Sequence, residues 1–160
     1  YVKTLEEQGY LSRIKGPNGK RALTLTHREH ATTTTARLPL LGLIAAGEPI
    51  EALENPEMVD IPSSLLHPDN YVLQVKGNSM IDEQIHDKDY IVARKTNTAR
   101  SGQIVVALIN GEATLKYYIH GPEGVELHPR NPDFPIIKVD PKDDFHINGV
   151  LLYSFRNYLN

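Results

Sequence analysis

QIVVALINGEATLKYY, residues 103–118, decides the fold. Two runs rich in β-branched and aromatic residues flank Asn110-Gly111, a dipeptide that supplies the two positive φ angles of a type I′ turn. The runs are therefore expected to be antiparallel neighbours joined by a two-residue loop. Within EATLKYY the side chains alternate, so Glu112, Thr114, Lys116 and Tyr118 face one way and Ala113, Leu115 and Tyr117 the other.

Working outward, the same pattern recurs in YVLQVK (71–76), YIVARK (90–95), GVELHP (124–129) and GVLLYSF (149–155), separated by clusters of Gly, Pro, Asn and Asp. No helical period lies between them. Residues 38–160 thus read as a mainly β body, a sandwich or a sheet folded over on itself. Upstream, residues 2–8 continue a helix that Gly9 would end. YLSRI (10–14) and RALTLT (21–26) then flank KGPNGK, whose Pro17-Asn18-Gly19 suits a tight turn. Helix followed by basic-tipped hairpin is the end of a winged helix-turn-helix over residues 1–26, with Lys15, Lys20 and Arg21 offered to phosphates. Because the chain opens inside that helix, we read it as a piece of something longer. THREHATTTTAR carries no apolar period, and 27–37 reads as a linker. His27 and His30 lie in it without a third ligand nearby, so no metal site is expected.

Composition narrows the class. The chain has 160 residues, 40% apolar and 23% charged, as in an ordinary globular protein. It has no Cys, which removes thiolate chemistry and disulfides and fits a cytoplasmic protein. No apolar stretch approaches the roughly 20 residues needed to span a bilayer, so no membrane partner is expected. Residues 1–37 carry 7 basic and 3 acidic side chains, the remainder 10 and 17. A basic head on an acidic body points to an anionic partner for the head alone.

Two segments offer chemistry. In KGNSM (76–80), Ser79 follows an apolar strand and the permissive Gly77, where a hydroxyl can be exposed among backbone N–H groups. Lys116 is either a solvent-facing strand lysine or, once buried, a base for such a hydroxyl. At its ordinary pKa of about 10.4 a lysine is neutral in only ~0.04% of molecules at pH 7, and burial can lower that pKa by several units. Something must cover it. LGLIAAGEPI (41–50) is poor core material, with small Ala45, Ala46 and Gly47 followed by Glu48 and Pro49. A Ser–His pairing is the competing possibility, with His128 at the end of a strand.

These motifs together resemble the LexA family of self-cleaving repressors of the bacterial DNA-damage (SOS) response. PLLGLIAAGEPI resembles the family's cleavage region, KGNSM its nucleophile motif and EATLKYY its lysine motif. YIVARK, GQIVVALINGE, VELHPRNPDFPII and INGVLLYSF come in the same order, and the head looks like the end of the family's winged helix. The resemblance implies that Ser79 is the nucleophile, Lys116 the general base and Ala46–Gly47 the scissile bond, with no cofactor. It further implies operator double-stranded DNA as partner, a RecA filament on single-stranded DNA as co-protease, and a homodimer formed through the C-terminal strands around LLYSFRNYLN. Asn78 stands where relatives vary, and most of the recognition helix lies outside the matching stretch. A peptidase acting in trans, a non-catalytic DNA-binding regulator of the phage-repressor kind, and an accessory protein of the UmuD type are the alternatives. The winged-helix stretch argues against the last.

Overall fold

The computed structural model describes residues 2–7, 11–15, 21–25, 35–46 and 48–158. The chain divides into two units, Tyr1–Thr34 and Thr35–Asn160. In the first, helix α1 (Val2–Glu7) precedes β1 (Leu11–Lys15) and β2 (Arg21–Leu25). These strands pair antiparallel from Leu11↔Leu25 to Lys15↔Arg21, so the two basic positions face each other at the turn end of the hairpin. Lys20, His27 and His30 lie outside the described residues.

The second unit is mainly β. Its strands are β3 (Ala36–Ala45), β4 (Glu51–Ala52), β5 (Met58–Ile61), β6 (Asn70–Lys76), β7 (Tyr90–Arg94), β8 (Ile104–Ile109), β9 (Glu112–Gly121), β10 (Gly124–His128), β11 (Ile137–Lys138) and β12 (Phe145–Phe155). They follow one path, β11-β10-β9-β8-β12-β7-β6-β3-β4, with β5 added to the first half of β3. Of the two forms the sequence allowed, this is the folded-over sheet. The deciding hairpin is as expected: Asn110 and Gly111 have φ of 52° and 84°, and Ile109 pairs with Glu112. Every pairing is antiparallel except that of β3 with β6.

Strand β3 differs from its sequence reading. It begins at Ala36, inside the stretch taken as linker, and Ala36, Leu38 and Leu40 join Ile61, Val72 and Val92 in one apolar cluster. Ile44, on the same side of the strand, is 2% exposed and packs with Leu73, Val75, Met80, Ile85, Ile91, Ala113 and Leu115 in another. That cluster draws on β3, β6, β7, β8 and β9, so apolar burial is what folds the sheet over. The segment is therefore a genuine core strand as far as Ala45. Leu41 projects into a groove it shares with Pro39, Leu66 and Pro68.

Candidate active site

Ser79 lies in the turn beyond β6 and Lys116 on β9, two strands that are not adjacent in the sheet, and the fold brings the two side chains together. Beyond the end of β6, Gly77 turns the chain at φ 94°, a conformation suited to glycine. The next turn is pinned on several sides. Gly77 N–H donates to Asp87 Oδ1 at 2.7 Å, and Asn131 Nδ2 donates to the Asn78 carbonyl at 2.9 Å. Arg130 N–H donates to the Ser79 carbonyl at 2.9 Å, and Met80 is buried beneath.

On β9, alternation puts Thr114 and Lys116 on one side of the strand, and Lys116 is buried. It is 1% exposed, which settles the choice left by the sequence against a solvent-facing lysine. Its Nζ lies 2.8 Å from Ser79 Oγ, 2.7 Å from Thr114 Oγ1 and 3.1 Å from the Leu115 carbonyl oxygen. A neutral amine has two N–H donors and one lone pair. The Leu115 carbonyl can only accept, and the Thr114 hydroxyl can accept the second N–H, which leaves the lone pair for the Ser79 hydroxyl proton. Burial pushes the Lys116 amine down from 10.5 to about 8. At pH 7 about 10% of such an amine is neutral, on the order of a few hundredfold more than for an exposed lysine. His128, the alternative partner, instead bonds Glu126 at 2.8 Å on the strand they share.

The end of β3 lies alongside. Strand β3 runs parallel to β6 as far as the pair Ala45↔Lys76, next to the Ser79 turn. Ala46 comes next, in a turn, and Gly47 lies outside the described residues. The chain is caught again at Glu48, whose carbonyl accepts the Ala113 N–H at 2.6 Å, three residues before Lys116 on β9. Ala45 is thus paired at the end of β6, just before Ser79, and Glu48 at the start of β9.

The family described as Peptidase S24-like matches residues 39–152. The LexA repressor of Syntrophotalea carbinolica is 42% identical over 160 residues, covering 99% of this chain and 76% of that protein. The chain belongs to the LexA repressor family. LexA repressors of Syntrophobacter fumaroxidans (40% identity, 99% of this chain and 75% of that protein) and Pseudothermotoga lettingae (43%, 99% and 77%) agree. As a LexA-family chain it carries a peptidase-like body in a repressor.

For this LexA-type site, sequence reasoning missed the supports. Asp87 reaches the Ser79 turn from the far end of the same excursion, and Arg130 and Asn131 reach it from a remote loop that only the fold brings near. Thr114 was legible in principle, since it precedes Lys116 by one strand period. Among the described residues no group of His, Asp and Glu could hold a metal ion, and no helix is long and apolar enough to cross a membrane.

A small residue of β3, Gly42, lets the chain return closely. Beyond Ile50 the chain returns as β4, pairing Leu43↔Glu51 and Gly42↔Ala52. A Cβ on Gly42 would meet the Glu51 carbonyl oxygen at 2.5 Å and Ile50 Cγ2 at 3.0 Å. Gly42→Ala is therefore expected to force β4 away and displace the 46–50 tip. Overpacking of this kind costs about 1–3 kcal/mol, so self-cleavage should slow roughly tenfold or more. The check is the fraction of cut chain over time, with Gly42→Ala cutting at the wild-type rate as the contrary result.

Proposed function

We propose that this chain is a repressor of DNA-damage genes that inactivates itself by cutting the bond between Ala46 and Gly47. The observation that supports the reading is the 2.8 Å contact between Ser79 Oγ and a buried Lys116 Nζ. Neutral Lys116 takes the Ser79 proton as Oγ bonds to the Ala46 carbonyl carbon, and backbone N–H groups of the turn stabilise the oxyanion. The intermediate collapses, the C–N bond breaks, and the Lys116 ammonium gives its proton to the leaving Gly47 amine. Water, deprotonated by the same lysine, then adds to the acyl carbon, and the Lys116 ammonium returns that proton to Ser79 Oγ as the ester C–O bond breaks. The substrate is tethered, so the step is intramolecular.

Regulation arises from the same parts. When the segment is undocked, water reaches Lys116 and charges it, so cleavage is off; whatever favours docking turns it on. We assign that activating role to a RecA filament on single-stranded DNA. The head, read as the end of a winged helix with Lys15, Lys20 and Arg21 toward phosphates, binds operator double-stranded DNA. The body dimerises through its C-terminal strand. Cutting between head and body removes the bivalent advantage on a two-half-site operator, and repression lapses.

Incubation of the chain at alkaline pH and then mass spectrometry tests the reading. Two fragments meeting between Ala46 and Gly47 are expected, at a rate independent of protein concentration. A rate rising with concentration supports a peptidase acting in trans. Fragmentation of Ser79→Ala at the wild-type rate rejects the assignment of the nucleophile.

A further inference from the structure

The nucleophile turn belongs to an excursion, residues 77–89, that is anchored from the far end of the chain. At its base, Lys88 N–H donates to the Val75 carbonyl at 2.7 Å and Val75 N–H to the Asp89 carbonyl at 2.8 Å. Lys88 itself sits at φ 69°, a conformation that a residue with a side chain keeps only where its surroundings hold it. Nearer Ser79, Asp87 grips the turn twice: Oδ1 accepts the Gly77 N–H at 2.7 Å, and Asp87 N–H donates to Asn78 Oδ1 at 3.2 Å.

What fixes this corner is Asp89, 3% exposed. Arg156 donates to it through both arms of its fork, Nε to Oδ1 at 2.6 Å and Nη2 to Oδ2 at 2.9 Å, while the His86 N–H donates to Oδ2 at 2.8 Å. Burial pushes the Asp89 carboxyl up; the Arg156 fork and the His86 N–H outweigh it and hold the group below its ordinary range. Arg156 stands one residue beyond the last β12–β7 pair, Phe155↔Tyr90, whose rings stack at 5.3 Å. A two-pronged guanidinium–carboxylate contact fixes orientation as well as distance.

We propose that Arg156 is a positioning residue for self-cleavage: its fork on Asp89 fixes the 86–89 corner, so that Asp87 holds Gly77 and Asn78 and aims Ser79 at Lys116. The inference rests on the reading of Ser79 and Lys116 as nucleophile and base. Arg156 acts only through Asp89 and Asp87, and a displacement of about 1 Å at a reacting atom can cost roughly a hundredfold in rate.

The test is the alkaline self-cleavage rate of the chain across pH, compared among wild type, Arg156→Lys, Arg156→Gln, Asp87→Ala and the double variant Arg156→Lys with Asp87→Ala. Arg156→Lys keeps the charge beside Asp89 but loses the fork, and its plateau rate should fall about tenfold, with Arg156→Gln losing more. The pH midpoint should stay where the wild type has it, since the burial of Lys116 is untouched. The double variant should be no slower than its slower parent, because both act through one turn. Wild-type plateaus in both Arg156 variants, a shifted midpoint, or losses that multiply in the double variant would overturn the proposal. So would melting of both Arg156 variants below the assay temperature, which would make the pair a stability element alone. A Ser79→Ala control separates the two readings: if it cuts, the dyad fails; if it is inert while the Arg156 variants cut normally, only the positioning role fails.

Discussion

Replacing Lys116 with Ala is expected to reduce self-cleavage below detection at every pH, while the unaltered chain cuts about tenfold faster at pH 9 than at pH 7. Both results come from one contact. Ser79 Oγ has a nitrogen at 2.8 Å that is buried and shifted to about 8. Removal of a general base together with its hydrogen bond typically costs at least ~10²–10⁴-fold, and here no second base touches the hydroxyl among the described residues. The pH effect comes from the neutral fraction, which rises from about 10% at pH 7 to about 90% at pH 9 and then levels off. A rate that stays flat over that interval in a folded chain, or cutting by Lys116→Ala, would count against the lysine.

The same burial should appear in stability. The folded pKa of Lys116 lies below its unfolded value, so between about pH 8 and 10.5 the unfolded chain binds more protons than the folded one. Stability therefore rises with pH through that window, and as pH falls through about 8 this contribution is lost. The full effect amounts to about 3 kcal/mol for a shift of this size, at roughly 1.4 kcal/mol per unit. Lys116→Met removes the titrating group. In a Ser79→Ala background, which keeps both chains uncut, denaturation at pH 7.5 and 10 should show wild-type Lys116 gaining about 2–3 kcal/mol on Lys116→Met. A gain below about 1 kcal/mol would mean that the amine is hydrated and ordinary.

The parts of the fold that local chemistry dictates were legible. Asn110-Gly111 announced its hairpin, and the strands at 70–76, 90–94, 104–109 and 124–128 stand close to where alternation put them. The strand at 145–155 starts four residues before its apolar run, because Phe145, His146 and Ile147 pair with β8. β4, β5 and β11 were not legible: strands of two to four residues carry no measurable period. β3 was underrated because Pro39, Gly42 and Ala45 lower strand propensity, whereas the close return of Glu51 requires the glycine. At the site, the residue types of Ser79 and Lys116 could be proposed from chemistry and resemblance. The dryness of the lysine could not, because it depends on contacts between residues 37 positions apart. Lys20 and Gly47 fall outside the described residues.

The parallel pairing of β3 with β6 bears on the fate of the severed chain. After a cut behind Ala46, β3 is still hydrogen-bonded along β6, with Ala36, Leu38, Leu40 and Ile44 in the core. The two pieces would then persist as a nicked, non-covalent complex, like the halves of a split protein. Head and body would part only when a whole strand peels away. The lag between severing and release would be set by that peeling, so the lifetime of the nicked complex, and not bond breakage alone, would time the loss of repression.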